Sequence, residues 1–383
     1  MHKFNPNFVF SALFSLLLFS CQKQGEDKSK VWELVPSAEK ISLSLDDQTP
    51  NISMRLEYFG GKKPLLFNVN EITNSLQIFD LESQSLVKEL TFEREGDQGV
   101  DFQYFHVQSL DSIFLFPPFG KRIILTDTSG KIKNRIRFEL PLGYSTIFPH
   151  NSYYVSPPAV IGKDLIVKTR ADGRITEFTQ SQLDTLALEV AINLETGAVR
   201  MLPLGFPGDY LNLGNKQLEY SIVNQGGKKL VSFMGDHRVY LAEQNSEIWS
   251  AKDAKSQFLD EQMPFFAKDV DSRGINEYAF SKSRYESLVY DPYRKVYYRF
   301  AYPTVTFETD EELRALRTSP GPFVVIVLDE NGDILTERRF EAGTYYPTNF
   351  FVGEKGLYLS INHPDNPENQ EDVLTFELIR LNK

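Results

Sequence analysis

The stretch Ile123-Ile124-Leu125-Thr126-Asp127-Thr128-Ser129-Gly130-Lys131 is an apolar strand that ends in a turn and re-enters an alternating segment, Lys131 to Phe138. The glycine supplies the positive φ such a turn needs, and the Asp side chain can bond its own backbone two residues on. The same hairpin recurs at Leu76-Gln77-Ile78-Phe79-Asp80 before Leu86, at Ala191-Ile192-Asn193-Leu194-Glu195-Thr196-Gly197, and at Val325-Ile326-Val327-Leu328-Asp329-Glu330-Asn331-Gly332. Four copies of one hairpin define a repeat protein.

Working backwards from each hairpin finds two further strands, and groups of four then tile the chain. They run Ser53 to Phe92, Phe102 to Phe138, Tyr153 to Pro203 with a long internal loop, Leu218 to Ala251 with a degenerate last hairpin, and Tyr285 to Phe340. A sixth group has only three strands, near Thr348 to Val352, Gly356 to Ile361 and Val373 to Leu378. Ile41-Ser42-Leu43-Ser44-Leu45 alternates cleanly and has no local partner, so it supplies the missing strand and closes a ring. The fold class is therefore all-β, a six-bladed β-propeller of four-stranded blades closed by an N-terminal strand. Third strands such as Phe323 to Leu328 are apolar throughout, as expected where neighbouring blades cover both faces, whereas fourth strands alternate because they lie at the rim. Two β-sandwiches would need a linker, and only Pro203 to Pro207 resembles one.

The chain has 383 residues, with 30 Phe and 18 Tyr but only 5 Met and 1 Cys, a composition that suits pleated sheets. Its net charge of −11 disfavours nucleic acid and anionic lipid as partners, because both need a basic patch, and nucleic-acid binding is discarded. The single cysteine, Cys21, directly follows the apolar run Phe8 to Phe19, which is too short to span a bilayer and reads as a signal-peptide core. Leu18, Ser20 and Cys21 resemble a bacterial lipobox, and that resemblance implies a lipidated Cys21 as the new N-terminus. The expected organisation is a signal peptide over 1–20, a tether over 21–36 and one propeller domain over 37–383. Lys23, Glu26 and Asp27 are similar to the charged export signals of Bacteroidota lipoproteins. Localisation then follows as the cell envelope, on the periplasmic face or the outer-membrane surface, with a membrane partner through the lipid and a monomeric propeller.

Catalytic signatures are absent: there is no HExxH, no P-loop and no cysteine pair, and Gly143-Tyr144-Ser145-Thr146-Ile147 lacks the second glycine of a nucleophile elbow. The five histidines, His2, His106, His150, His237 and His363, are scattered singly. The loop Asn362 to Asp372 is rich in oxygen donors but lacks the turn glycine of a calcium loop, and reads as a solvated connection. Asp310-Glu311-Glu312 reads as the first turn of a helix to Arg317, with Thr309 and Glu312 forming a capping box. No catalytic residue, metal or cofactor is assigned.

The segments Phe92 to Phe102, Asp111 to Leu115, Ile124 to Gly130 and Tyr290-Asp291-Pro292-Tyr293-Arg294-Lys295-Val296-Tyr297-Tyr298-Arg299 resemble Bacteroidota propeller lipoproteins, and more narrowly an uncharacterised family known only as a domain of unknown function. Where some of those proteins carry Gly-Pro-Gly-Glu, this chain has Gly99-Val100-Asp101-Phe102. The resemblance implies an exported propeller lipoprotein and carries over no catalytic residue.

Loop lengths indicate where function lies. Loops joining second to third strands, and those joining blades, leave a propeller on one face. Here they are long: Asp172 to Thr185, Leu204 to Gln217, Lys252 to Arg284, Tyr302 to Pro322 and Asn362 to Asp372. Those of the other face are short, as at Gly60 to Lys63, Gln225 to Lys228 and Gly353 to Lys355. Long ordered loops gathered on one face mark a binding surface. Residues at the start of the innermost strands would face the channel mouth there: Gln103, His150, Asn151, Arg284, Tyr285, Tyr346 and Asn349. Being mostly neutral and aromatic, they favour a binding or interaction module for an envelope protein, small molecule or glycan. The alternative is a propeller-type hydrolase or lyase acting on carbohydrate, which needs an acid and a base at that mouth.

Overall fold

The computed structural model describes residues 32–53, 55–96, 99–118 and 121–383. Cys21 and the signal segment lie outside the described residues. Six antiparallel sheets follow one another along the chain, each beginning with its innermost strand. Blade 1 starts at Leu56–Phe59, blade 2 at Tyr104–Ser109, blade 4 at Tyr220–Gln225, blade 5 at Arg284–Asp291 and blade 6 at Tyr346–Gly353. The outer strand of blade 6 is Glu33–Ser44, antiparallel to Val373–Asn382 from Glu33 opposite Asn382 to Ser44 opposite Val373. The ring is closed as the unpaired N-terminal strand predicts. The closing strand is longer than Ile41 to Leu45, and residues 33–36 pair as strand rather than forming tether. The register shifts between Pro36 and Lys40, where Ala38 adopts a φ of 60°.

The repeated hairpin works as its chemistry requires. Asp80, Asp127, Asn193, Asp291 and Asp329 each accept a hydrogen bond from the backbone N–H two residues on, at 2.8 to 3.2 Å. At Gly197 the left-handed backbone, with φ of 73°, also brings the chain so close to blade 2 that a Cβ would sit 1.8 Å from the Arg137 carbonyl oxygen.

Apolar third strands are explained by where their alternate residues go. In Phe323–Leu328 of blade 5, Phe323, Val325 and Val327 pack toward blade 6, while Val324, Ile326 and Leu328 pack toward blade 4. Blade 2 divides likewise, with Ile113 and Leu115 against blade 1 and Phe114 and Phe116 against blade 3. Each of the six blade interfaces thus has its own apolar cluster. At roughly 1.5–3 kcal/mol per fully buried large side chain, these interfaces supply the main driving force for the ring.

Blade 3 departs from the expected pattern. Its innermost strand does not begin at Tyr153; it is split into Tyr144–Ile147 and Ala159–Ile161, which both pair with Asp164–Ala171. Pro149, Pro157 and Pro158 withdraw the N–H donors a continuous strand would need. The intervening residues 148–158 bulge into the central channel as a plug. There the Asn151 amide accepts from Phe105 N–H of blade 2 at 3.4 Å and donates to Glu57 of blade 1 at 3.3 Å. Val155 N–H donates to Ser287 Oγ of blade 5 at 3.3 Å, and Ile222 N–H of blade 4 donates to Ser156 Oγ at 3.1 Å.

Three short helices sit in the long loops: α1 (Gln180–Leu183), α2 (Ser272–Ser281) and α3 (Asp310–Ala315). The α3 capping box is formed by Thr309 and Glu312, two residues of helix short of the expected end at Arg317. Arg273 of α2 pairs with Asp310 of α3 at 2.9 Å, which couples the two helices. No helix among the described residues is long and apolar enough to cross a membrane.

Candidate functional site

At the long-loop mouth of the channel, α2, the segment after α3, the plug, the inner strands of blades 5 and 6, and Gln217, Glu219 and Met234 beside the inner strands of blade 4 line a cavity of about 250 Å³. Arg284 and Glu286 enter it from alternate positions of one strand, where the register slips between Tyr285 and Leu288. Tyr302 pairs opposite Arg284 on the next strand, and Tyr346 opens the inner strand of blade 6. The plug contributes Tyr153 and Tyr154, the latter donating to Met234 Sδ at 3.3 Å. Phe280, Leu316, Arg317 and Pro320 form the outer wall.

Two groups in this cavity are electrostatically unfinished. Glu286 is 4 % exposed, and its Oε2 has no hydrogen-bond partner. Burial pushes its carboxyl up to about 7, against the opposing pulls of the Arg284 charge and the Tyr302 hydroxyl. Arg284 is also buried; its guanidinium lies 4.0 Å over the Tyr302 ring and donates to the Phe280 carbonyl at 3.2 Å. Neither residue belongs to an ion pair among the described residues. Burial raises the phenols of Tyr153, Tyr154, Tyr302 and Tyr346, so all four stay neutral donors.

Beside this cavity lies a second set of cations. Lys168 is 2 % exposed; it holds Glu219 at 3.1 Å and the Tyr220 carbonyl at 2.6 Å. Arg55 stacks at 4.8 Å over Tyr104, and Arg170 at 5.2 Å over Phe148. His150 is wedged among these rings, 3.9 Å from Phe148 between centroids. Its imidazole is held well below the ordinary value by burial and then by the charges of Lys168, Arg170 and Arg55, so it stays neutral.

The seven residues expected at the mouth therefore separate. Arg284 and Tyr346 line the cavity. Tyr285 points between blades 4 and 5, where its hydroxyl meets His237 Nδ1 at 2.8 Å and its ring carries Arg299 at 3.3 Å. Asn349 turns its amide to the Ser53 backbone. Asn151 braces the plug, and His150 is packed behind it. Gln103 precedes the inner strand of blade 2, with its N–H bonded to the Phe116 carbonyl at 2.9 Å. Glu286, Tyr302, Tyr153 and Tyr154 were not singled out from the sequence; the alternation Arg284-Tyr285-Glu286 was the available signal for Glu286.

At the opposite end, a cavity of about 430 Å³ is lined by Leu56, Val155, Val223, Val289 and Phe350, together with Glu57 and Asn224. The plug is a wall of both cavities. The oxygen-rich loop 362–372 is stitched to itself: Asn362 bonds Val373 and Thr375 backbone at 2.7 Å, and Asn366 bonds the Ile361 carbonyl at 2.6 Å.

Fold and site together define a six-bladed propeller whose channel is plugged and whose long-loop mouth holds a buried polar pocket. The family described as Domain of unknown function (DUF4221) matches residues 32–339, and the chain belongs to it. It is similar to the crystal structure of a DUF4221 member from Bacteroides vulgatus ATCC 8482, with 23% identity and a TM-score of 0.83 over 93% of this chain and 100% of that one. A protein from Bacteroides fragilis NCTC 9343, named as exported, is similar at 10% identity and a TM-score of 0.52, over 92% of this chain and 96% of its own. No curated protein matches the chain.

Proposed function

We propose that the protein is a lipid-anchored binding module of the cell envelope, holding a ligand at the long-loop mouth of its channel. The observation that carries this reading is Glu286, a buried carboxyl with one oxygen unpartnered in a pocket walled by four tyrosines and Arg284. A buried polar group left unpaired costs about 1–3 kcal/mol, and a fold keeps such a group where a ligand completes it. The tyrosines offer contact area at little entropic cost, and Arg284 offers a planar fork of donors.

A thermal-shift screen of small polar metabolites and oligosaccharides tests the site. Ligands that raise the melting temperature of the parent should fail to do so for Arg284→Ala with Tyr346→Ala. Equal shifts for both proteins, or photo-crosslinks falling around Gly60, Gln225 and Gly353, would place the ligand elsewhere. The anchor is tested separately, since Cys21→Ser should move the protein from the detergent to the aqueous phase; unchanged partitioning refutes lipidation. A second reading rests on the same carboxyl, which at about 7 is poised as a general acid, with Glu219 in the same lining. A carbohydrate hydrolase of this kind would lose turnover but keep binding in Glu286→Gln.

A further inference from the structure

We infer that the ligand is a small zwitterion of the amino-acid or dipeptide class, its ammonium taken by Glu286 and its carboxylate by Arg284. This rests on the reading of the long-loop pocket as the binding site and names what the pocket is built to take.

Glu286 and Arg284, ionisable groups of opposite sign, share a cavity without forming an ion pair among the described residues. Buried charges are normally paired or bonded at each polar atom, because leaving water is costly. Here Glu286 has an oxygen with no partner, and among the described residues Arg284 donates one hydrogen bond, to the Phe280 carbonyl, although a guanidinium carries five N–H donors. Two residues apart on one strand, their backbones are separated by about 7 Å. Among the described residues no ion pair joins the two side chains, and both line the same cavity. A purely anionic ligand would pair Arg284 and leave Glu286 as it is; a purely cationic one would do the reverse. Only a molecule carrying both charges a few atoms apart completes both.

Size points the same way. The cavity, about 250 Å³, is smaller than the roughly 300–1,000 Å³ of pockets for drug-sized ligands, and α2 and the segment after α3 cover its outer side. The neutral phenols of Tyr302 and Tyr346 flank the charged pair, giving apolar walls for a side chain and hydroxyls for its polar atoms.

Isothermal titration of the proteinogenic amino acids and their dipeptides tests this. Each ligand is compared with its N-acetyl and C-amide derivative on the parent protein, so the result does not depend on a variant folding. At least one zwitterion should bind, and blocking either end should weaken it tenfold or more. Glu286→Gln should no longer discriminate against the N-acetyl form, and Arg284→Gln should no longer discriminate against the C-amide. If no zwitterion binds, or blocked and free forms bind alike, the ligand class is wrong. Alike binding that is still lost in Tyr346→Ala would overturn the class and leave the pocket standing. Zwitterion binding unchanged in Tyr346→Ala and in both charge variants would overturn the pocket assignment as well.

Discussion

Glu286 shows how one side chain can cost stability and still be retained. Its carboxyl is raised from 4.5 to about 7 by burial, which corresponds to about 3 kcal/mol of differential interaction between its two protonation states. The folded state holds the proton more tightly than the unfolded chain, so this residue costs stability progressively as pH rises from about 4.5 to about 7, and fully above that. Glu286→Gln should therefore melt higher than the parent at pH 8, with the difference vanishing near pH 4; an equal melting temperature at pH 8 would show that the carboxylate is satisfied after all. His150 contributes with the opposite sign. Its value is depressed, so the stabilisation it represents is present above its unfolded value of 6.5 and is lost as pH falls. At this scale the sequence was only partly legible. Arg284 and Tyr346 could be picked because they open inner strands on the long-loop side. Tyr285 and Asn349 sit in equivalent places yet point into blade contacts, since neighbouring strand residues face opposite ways and a bulge at Glu286 shifts the phase.

Among the elements, the plug carries the most information that periodicity could not reveal. Residues 148–158 interrupt a strand, and their partners lie in blades 1, 2, 4 and 5, far away in sequence. Pro149, Pro157 and Pro158 are incompatible with the regular strand expected from Tyr153, but they do not say where the loop goes. Ser221 is its central tie: buried on blade 4, its hydroxyl accepts from Leu288 N–H at 2.9 Å and donates to the Val155 carbonyl of the plug. Ser221→Ala leaves both backbone groups without that partner. It should lower the unfolding free energy by about 1–3 kcal/mol, read from the denaturant midpoint at unchanged slope. A midpoint equal to the parent's would mean that the plug is held by packing alone. By contrast, the hairpins with Asp or Asn turns were legible, because strand and turn residues lie within about ten residues, although in the Asp80 turn the left-handed position is taken by Gln84 rather than by a glycine.

For the molecule as a whole, the ring and its asymmetry follow from order along the chain. Blade count and the closing strand could be read from repeats and from one unpaired alternating segment, since each blade is local in sequence and, among the described strands, only Glu33–Ser44 makes a distant pairing. Deleting residues 374–383 removes most of the partner of that strand and exposes two blade edges. The truncated protein should lose its cooperative melt or aggregate; a parent-like melt would mean that the ring does not depend on this closure. Long loops bearing α2 and α3 stand on one face and line the pocket of Arg284 and Glu286, while the cavity of about 430 Å³ opens on the other. A crystal structure of the protein soaked with the tightest-binding amino acid or dipeptide distinguishes these two ends directly. Ligand density is expected between Glu286 Oε2 and the Arg284 guanidinium, within hydrogen-bond reach of both. Density confined to the cavity between Val223, Val289 and Phe350 would contradict it.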